Sequence, residues 1–326
     1  MRIHLQNPDN DPLFDFSPGQ WQAAAARAGM LGQGHEVSIG HTRADCAAAL
    51  ATAEVLFGDT AVIRAQIPLS VPHLKIIQAT MAGVDGLMPL DWLPPGVQFW
   101  TNRGVHAAKA GEYAIMAILM LASRMPQFAT DQRAGRWAKH YGSTLAGRRL
   151  TVIGLGALGA SGAQHAKYFG MHVTGVRTTT TPHPACDTVI TEADLDRVLP
   201  DTEFLLVATP STPATRNMLS RRRLAALPPG AGVINIARGA LLDQDALCDL
   251  LDTGHLSGAI LDVFTPEPVP AGHRLWTTRN LIMSPHTCAD DPRTYNVCTI
   301  DLFFENLRAL HAGQTPPTIV DPTRGY

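Results

Sequence analysis

Short apolar runs alternate with amphipathic stretches along nearly the whole chain, and this alternation constrains the fold more than any other feature. The apolar runs are rich in Val, Ile and Leu, as expected for strands that are covered on both faces. Alternation of such strands with helical stretches is typical of parallel α/β proteins. The sequence therefore predicts an α/β fold built on parallel sheets.

The apolar runs fall into two series, which predict two domains in a chain of 326 residues. The first series predicts a five-stranded, flavodoxin-like sheet with strands at Arg2–Gln6, Glu36–Ile39, Val55–Gly58, Leu74–Ala79 and Gln98–Trp100. The second predicts a six-stranded, doubly wound sheet of Rossmann type. Its strands are expected at Leu150–Gly154, His172–Val176, Phe204–Ala208, Gly232–Ile236, Gly258–Phe264 and Leu281–Ser284.

Two long helical patterns, His106–Arg124 and Arg293–Ala312, flank the second series. We therefore expect the second sheet to be inserted into the first domain, with the last helix returning to that domain. The predicted boundaries give a flavodoxin-like domain over residues 1–101 and 287–326 and a dinucleotide-binding Rossmann domain over residues 102–286.

Charge and cysteine content exclude several classes of protein. The formal net charge of −2 leaves no basic excess for nucleic acid or an anionic membrane. The longest apolar stretch, Ala114 to Ala122, is shorter than the roughly 20 residues that span a bilayer. The 5 cysteines form no CxxC pair, which argues against a disulfide framework or a metal site and favours a cytoplasmic location.

A glycine-rich segment follows the first strand of the second series and opens a helical stretch, as Gly154-Leu155-Gly156-Ala157-Leu158-Gly159. In such a GxGxxG turn the first glycine permits the tight turn, the second lets a pyrophosphate approach the backbone, and the third packs helix on strand. The phosphates would meet the N–H groups of the helix start, where Ala157 and Leu158 lie. The segment predicts a dinucleotide-binding site.

The second strand of this series ends at Arg177, followed by Thr178, Thr179 and Thr180. Enzymes that bind NAD usually carry Asp or Glu here, which accepts hydrogen bonds from the ribose 2′-hydroxyl. A guanidinium suits a 2′-phosphate instead, and the hydroxyls of Thr178 and Thr179 add donors. We therefore expect NADP(H) to be preferred, with NAD(H) still possible.

An Arg, a Glu and a His each follow one of the last three predicted strands, at Arg238, Glu267 and His286. In an open parallel sheet, ligands bind outside the carboxyl ends of the strands, so the three side chains are expected at one edge. Arg238 can hold the carboxylate and carbonyl of a 2-keto acid with its fork of donors. His286 can protonate the reduced carbonyl oxygen, and Glu267 can orient the imidazole. The sequence predicts a reductase of 2-keto acids.

The chain resembles the D-isomer-specific 2-hydroxyacid dehydrogenases, and among them the glyoxylate/hydroxypyruvate reductase-like members. The resemblance covers essentially the whole chain. The motifs that carry it are MAGVDGL (81–87), TNRGVHAAKAGEYAI (101–115), GLGALG (154–159), TPSTPAT (209–215), NIARGALLD (235–243), LDVFTPEP (261–268), SPHT (284–287) and VDPTRGY (320–326).

The resemblance implies further roles. It implies that the flavodoxin-like domain is the substrate domain, with backbone N–H groups of Ala82 and Gly83 bonding the substrate carboxylate beside Arg238 and His286. It also implies that Asp262 bonds the nicotinamide carboxamide. The remaining residues expected to line the cofactor are Pro210, Thr215, Ile236, Ala237, Arg238 and His286. The D configuration of the product and a homodimer built through the dinucleotide-binding domain are likewise implied by the resemblance.

Two departures from the family pattern and two rival functions stand beside this prediction. Arg177 replaces a common acidic residue, and Gly111 stands where the family often has Ala. One rival is a non-enzymatic, cofactor-sensing regulator on the same fold. The other is a dehydrogenase for a different acid, such as phosphite. A small 2-keto or 2-hydroxy acid remains the expected partner, and its identity is open because pocket shape decides selectivity.

Overall fold

A computed structural model describes residues 1–8, 11–66 and 71–321 of the chain. The chain divides into two compact units, Met1–His106 with Asp291–Tyr326, and Ala107–Asp290. The divisions fall after residues 106 and 290, where the sequence predicted breaks after 101 and 286. Residues 322–326 of the closing VDPTRGY pattern lie outside the described residues.

The strands, in chain order, are β1 (Arg2–Gln6), β2 (Glu36–Gly40), β3 (Val55–Gly58), β4 (Ile76–Ala79), β5 (Gln98–Trp100), β6 (Arg149–Ile153), β7 (His172–Val176), β8 (Thr188–Ile190), β9 (Phe204–Val207), β10 (Gly232–Asn235), β11 (Gly258–Leu261) and β12 (Leu281–Met283). Most lie within one or two residues of their predicted bounds. β11 is the exception, because it ends at Leu261, three residues before the predicted end at Phe264.

The α-helices are α1 (Pro18–Ala28), α2 (Arg43–Leu50), α3 (Thr60–Ala65), α4 (Ala107–Ala122), α5 (Met125–Arg133), α6 (Ala157–Tyr168), α7 (Leu195–Val198), α8 (Arg221–Ala225), α9 (Gln244–Asp252) and α10 (Tyr295–His311). None of the helices in the described ranges combines the length and apolarity needed to cross a membrane.

The first unit contains a five-stranded parallel sheet in the order β2-β1-β3-β4-β5, which confirms the predicted flavodoxin-like arrangement. Helices α1 and α10 pack together on this sheet. Aromatic rings of Trp21, Phe57 and Phe303 form the centre of that contact, and all three are buried. The return of α10 to the first unit is therefore driven by burial of its apolar face.

The second unit contains a parallel sheet in the order β12-β11-β10-β9-β6-β7-β8, which is a doubly wound Rossmann arrangement. The sheet has seven strands, so the prediction of six was wrong by one. The missed strand, β8, is three residues long and pairs only with β7 at the edge. Three residues are too few for a recognisable apolar pattern. The strand order reverses between β6 and β9, which marks the expected ligand-binding edge.

Helix α4 is shorter than predicted and packs closely against α6. It ends at Ala122, and Arg124 then takes a left-handed backbone conformation, with φ of 61°, before α5 begins. A Cβ added at Gly111 would lie 2.2 Å from Oγ of Ser161 and 2.8 Å from Nδ1 of His165, both on α6. The departure from Ala at position 111 therefore fits the close approach of the two helices in this chain.

Candidate active site

The glycine turn lies between β6 and α6, at the point where the strand order reverses. Gly154 has φ of 94°, which favours glycine, and an added Cβ would lie 2.7 Å from the carbonyl oxygen of Ala208. A Cβ at Gly159 would lie 1.9 Å from the carbonyl oxygen of Gly154, so the helix could not approach the strand with a larger residue there. Both glycines are required by close packing of the backbone.

Gly156 differs from its two neighbours in the motif. It caps the N-terminus of α6 with no side-chain hydrogen bond, and an added Cβ would meet no atom within 4 Å. The space over the first turn of α6 is therefore open, where Ala157 and Leu158 begin the helix. Open space at a helix N-terminus beside two close-packed glycines fits the pyrophosphate of a dinucleotide.

Arg177 follows β7 next to this turn, since the carbonyl of Val176 accepts the Gly154 N–H at 2.8 Å. The Arg177 backbone N–H donates to the carbonyl of Ile190 at 3.0 Å, and the residue is half-buried. Within the described ranges its guanidinium has no hydrogen-bond or ion-pair partner. Thr178 and Thr179 are exposed beside it. A cation without an internal partner fits the 2′-phosphate that the sequence predicted here.

The loop after β9 carries Pro210 and Thr215 on the other side of the switch point. The Thr215 hydroxyl donates to the carbonyl of Pro210 at 2.7 Å, and its Oγ1 accepts the Thr212 N–H at 2.8 Å. One hydroxyl therefore closes this loop. Contact of the loop with a cofactor stays a prediction.

Arg238 stands at the end of the loop that follows β10. The buried side chain of Asn235 holds this loop, because its Oδ1 accepts the Ala237 N–H at 3.0 Å and its Nδ2 donates to the carbonyl of Arg238 at 2.9 Å. Nη1 of Arg238 donates to the carbonyl of Ala237 at 2.7 Å. The side chains of Ile236 and Ala237 are buried, so these two predicted residues present backbone rather than side chain at this edge.

His286 and Glu267 form a hydrogen-bonded pair beyond the ends of β12 and β11. Oε2 of Glu267 lies 2.8 Å from Nδ1 of His286, while Oε1 of Glu267 accepts the Phe264 N–H at 2.7 Å. The His286 side chain is 46% exposed and the Glu267 side chain 34%. With Nδ1 engaged by the carboxylate, Nε2 is the nitrogen left to exchange a proton with a ligand.

Asp262 lies beneath this pair and is fully buried. Its Oδ1 accepts the Ser284 hydroxyl at 2.6 Å and the Thr287 N–H at 3.0 Å, and its Oδ2 accepts the Cys288 N–H at 3.1 Å. Its carbonyl accepts the His286 N–H at 2.8 Å. The contacts of Asp262 therefore anchor the segment that carries His286. The nicotinamide contact implied by the family resemblance stays a prediction.

In the first unit, Ala82 and Gly83 lie in the loop that follows β4. Two carbonyls just before them are held in place. Those of Thr80 and Met81 accept from the side-chain amide and the backbone N–H of Asn102, at 3.1 and 3.0 Å. The Tyr295 hydroxyl also donates to the carbonyl of Thr80. The buried Asn102 and the half-buried Tyr295 therefore fix the start of this loop, and its contact with a ligand stays a prediction.

The structure brings together at one edge of the second sheet most of the predicted catalytic and cofactor residues, on loops after β6, β7, β9, β10, β11 and β12. Ala82 and Gly83 belong to the first unit. Sequence reasoning missed the residues that hold these loops, which are Asn102, Tyr113, Asn235, Ser284 and Tyr295. Four of them, Asn102, Tyr113, Asn235 and Ser284, fall inside the motifs quoted above, and that position was the available signal.

Neither a reactive thiol nor a metal-binding group is found near this site among the described residues. Burial, with a further contribution from Asp262, raises the pKa of the Cys288 thiol well above its usual range, so Cys288 stays a neutral thiol beside His286. Among the described residues no group of three or more His, Cys, Asp or Glu side chains is arranged to hold a metal ion.

The doubly wound sheet, the glycine turn at its switch point and the His–Glu pair at the same edge define a dinucleotide-binding α/β protein with an acid–base site. A family model for the NAD-binding domain of D-isomer-specific 2-hydroxyacid dehydrogenases matches residues 115–288, more than half of the chain. The chain belongs to the D-isomer-specific 2-hydroxyacid dehydrogenase family. It is thus an oxidoreductase of 2-hydroxy acids with a nicotinamide cofactor.

Individual relatives agree with this assignment. Glyoxylate/hydroxypyruvate reductase A of Serratia proteamaculans is 32% identical over 78% of this chain and 82% of its own length. A glyoxylate reductase of Korarchaeum cryptofilum is 26% identical over 79% and 80%. The crystal structure of a D-isomer-specific 2-hydroxyacid dehydrogenase from Xanthobacter autotrophicus Py2, in complex with NADPH and MES, matches with a TM-score of 0.81. It is 29% identical and covers 99% of both chains.

Proposed function

We propose that this protein reduces a small 2-keto acid to the D-2-hydroxy acid with NADPH as the preferred cofactor. The observation that carries the proposal is the 2.8 Å contact between His286 and Glu267. These residues follow β12 and β11, and Arg238 follows β10, so the three residues follow three successive strands of the sheet. Relatives named glyoxylate reductase and glyoxylate/hydroxypyruvate reductase support this substrate class.

His286 acts in this proposal as the general acid of reduction. Its Nδ1 is oriented by Glu267, so a proton held at Nε2 is available for the carbonyl oxygen as that oxygen gains negative charge. In the oxidative direction Nε2 takes the proton back. Glu267 is itself fixed by the Phe264 N–H, which keeps the imidazole in one orientation.

Arg238 holds the carboxylate and the carbonyl of the substrate through its planar fork of donors, and so polarises the bond to be reduced. Ala82 and Gly83 are proposed to donate backbone N–H groups to a substrate carboxylate. When bound, NADPH supplies the hydride. Gly156 and the start of α6 would hold its pyrophosphate, and Arg177 would hold its 2′-phosphate.

Replacement of His286 by Ala tests the assignment of the acid. We expect kcat with glyoxylate, hydroxypyruvate or pyruvate to fall by about 10²–10⁴, the range for a general acid, while NADPH still binds. Binding is followed by the change in NADPH fluorescence. Near-normal turnover of the variant would exclude His286 as the acid. A wild-type protein that reduces none of these acids, or that oxidises phosphite faster, would overturn the substrate class.

Cofactor preference is tested at Arg177. The NADPH-bound relative from Xanthobacter supports NADPH, and the Arg177 guanidinium, which has no partner among the residues that the structure describes, supplies the reason. Replacement of Arg177 by Asp should lower kcat/KM for NADPH by about 10–100-fold and raise it for NADH, because a carboxylate repels the 2′-phosphate and accepts from the 2′-hydroxyl. Equal use of NADH by the wild-type protein would contradict the preference.

We also propose a homodimer built through the second unit. Exposed apolar side chains of the second unit support it, among them Trp137 at 98% and Tyr141 at 80% exposure. Asp131 holds the segment that carries them, since it accepts from Arg136 and His140 at 2.6 and 2.7 Å. Light scattering should give about twice the chain mass of 35.0 kDa, and Trp137→Glu should lower it. A single-chain mass at all concentrations would contradict the dimer.

A further inference from the structure

A chain of hydroxyl groups runs from helix α4 to the buried carboxylate beneath the His286 segment. The Tyr113 hydroxyl lies 2.6 Å from Oγ of Ser284, and Oγ of Ser284 lies 2.6 Å from Oδ1 of Asp262. Tyr113 belongs to α4, Ser284 follows β12, and Asp262 follows β11. Three elements of the second unit therefore meet through two short hydrogen bonds.

The direction of donation along this chain follows from chemistry. A carboxylate of Asp262 can only accept hydrogen bonds, so the Ser284 hydroxyl must donate its proton to Oδ1. Oγ of Ser284 is then an acceptor toward Tyr113, and the phenol must donate to it. Burial raises the pKa of Tyr113 to about 12, so the phenol keeps its proton through the neutral range.

The chain ends on the backbone that places His286. The carbonyls of Asp262 and Ser284 accept the His286 N–H at 2.8 and 3.1 Å. The carboxylate of Asp262 accepts the N–H groups of the next two residues, Thr287 and Cys288. His286 itself has φ of 57°, a left-handed conformation that a non-glycine residue keeps only when its surroundings fix it.

We infer that Tyr113 is a positioning residue for the reaction. Its hydroxyl orients Ser284, Ser284 and two backbone amides hold the carboxylate of Asp262, and this carboxylate fixes the segment from which His286 meets the substrate. The Tyr113 ring packs against the same apolar cluster as Ile282 and Cys288, so α4 carries the hydroxyl on a rigid base. The inference rests on the proposed role of His286 as general acid.

A double-mutant cycle with Tyr113→Phe and Ser284→Ala tests the inference, with kcat for a 2-keto acid as the readout. Tyr113→Phe should lower kcat by about 3–10-fold, and Ser284→Ala by about 10–100-fold, because it removes the hydroxyl donor of the Asp262 carboxylate and leaves only the N–H groups of Thr287 and Cys288. In a serial chain the Tyr113 hydroxyl has no acceptor once Ser284 is removed. The double variant should therefore be no slower than Ser284→Ala alone. Ser284→Thr, which keeps a hydroxyl, should restore most of the rate.

Two measurements separate positioning from general loss of structure. The dissociation constant of NADPH and the KM of the keto acid should change less than twofold in Tyr113→Phe, while kcat falls. In a ¹⁵N-histidine spectrum, the His286 signal, assigned by its absence in His286→Gln, should shift in Tyr113→Phe and Ser284→Ala. The matched control is Tyr168→Phe, because Tyr168 is exposed at the end of α6. This variant should leave kcat and the His286 signal unchanged.

The inference is overturned if Tyr113→Phe keeps the wild-type kcat and His286 signal, or if the losses of the two single variants multiply in the double variant. The Tyr113→Phe arm decides the question even if Ser284→Ala does not fold. A wild-type protein with no reductase activity would instead overturn the proposed function, and the histidine spectrum would still report whether the hydroxyl chain fixes His286.

Discussion

The two units fix the loops at the carboxyl edge of their parallel sheets in different ways. In the first unit the loop after β4 is proposed to offer backbone N–H groups to the substrate, and its carbonyls are held by Asn102 and Tyr295. In the second unit the loops present charged side chains and are anchored by Asn235 and Asp262. Backbone donors are placed by fixing carbonyls, whereas reactive side chains are placed by fixing the segments beside them.

The comparison predicts which kinetic constant each anchor controls. Loss of an anchor in the second unit should lower kcat, because the general acid is displaced. Loss of a brace in the first unit should raise the KM of the keto acid, because carboxylate binding is weakened in ground and transition states alike.

The largest effect is expected at a glycine of the second unit. Gly159→Ala would place a Cβ 1.9 Å from the carbonyl oxygen of Gly154, so α6 must move from the strand. We expect NADPH binding to weaken by more than about 100-fold and the free energy of unfolding to fall by about 1–3 kcal/mol. Gly19→Ala in α1 of the first unit is the matched control, because its Cβ would meet no atom within 4 Å. Equal binding by both variants would contradict the packing role.

The next effect is expected at the carboxylate that orients the acid. Glu267→Ala should lower kcat by about 10–100-fold with little change in the KM of the keto acid, because His286 loses its partner at 2.8 Å. Glu267→Gln can still accept the Phe264 N–H and should lose less. Steady-state kinetics at saturating NADPH measures both. A rise in KM at constant kcat would assign Glu267 to substrate binding instead.

A smaller effect is expected at the brace of the first unit. Tyr295→Phe removes one donor from the Thr80 carbonyl and should raise the KM of the keto acid by about 3–10-fold, with kcat nearly unchanged. Its opposite is Tyr113→Phe in the second unit, where kcat should fall at constant KM. If both variants changed the same constant, KM or kcat, the proposed difference between the anchors of the two units would be contradicted.

The smallest effect is expected from pH in the first unit. His4 is buried in β1, and burial lowers its pKa below the ordinary value of 6.5, although Gln6 and Asp45 act in the opposite direction. The unfolded chain therefore binds the proton more readily, and stability present above pH 6.5 is lost as pH falls through the lowered pKa. Amide hydrogen exchange in β1 should accelerate at pH 5.5, after correction for intrinsic rates, more than exchange in β6. His4→Asn should reduce that difference, and an unchanged difference would rule out His4 as its source.

Much of the fold followed from the sequence because the strands are buried on both faces and leave apolar runs between turn residues. The ends of the strands followed less closely from the sequence. The predicted strand Gly258–Phe264 ends at Leu261, where Asp262 turns its carboxylate to the segment that follows β12. That partner is remote in sequence, so no local pattern could place the end of the strand. β8 was missed because its pairing with β7, rather than its own composition, makes it a strand.

The order of residues was enough to specify which side chains follow the strands, and hence that Arg238, Glu267 and His286 share an edge of the sheet. Parallel strands place their carboxyl ends together whatever the loops between them contain. The hydrogen bonds that hold those residues in place depend on the folded chain. The 2.8 Å contact between Glu267 and His286, the brace of Asn102, and the hydroxyl chain from Tyr113 join residues far apart in the chain. Hydrogen bonds depend on distance and angle in space, which residue order does not record.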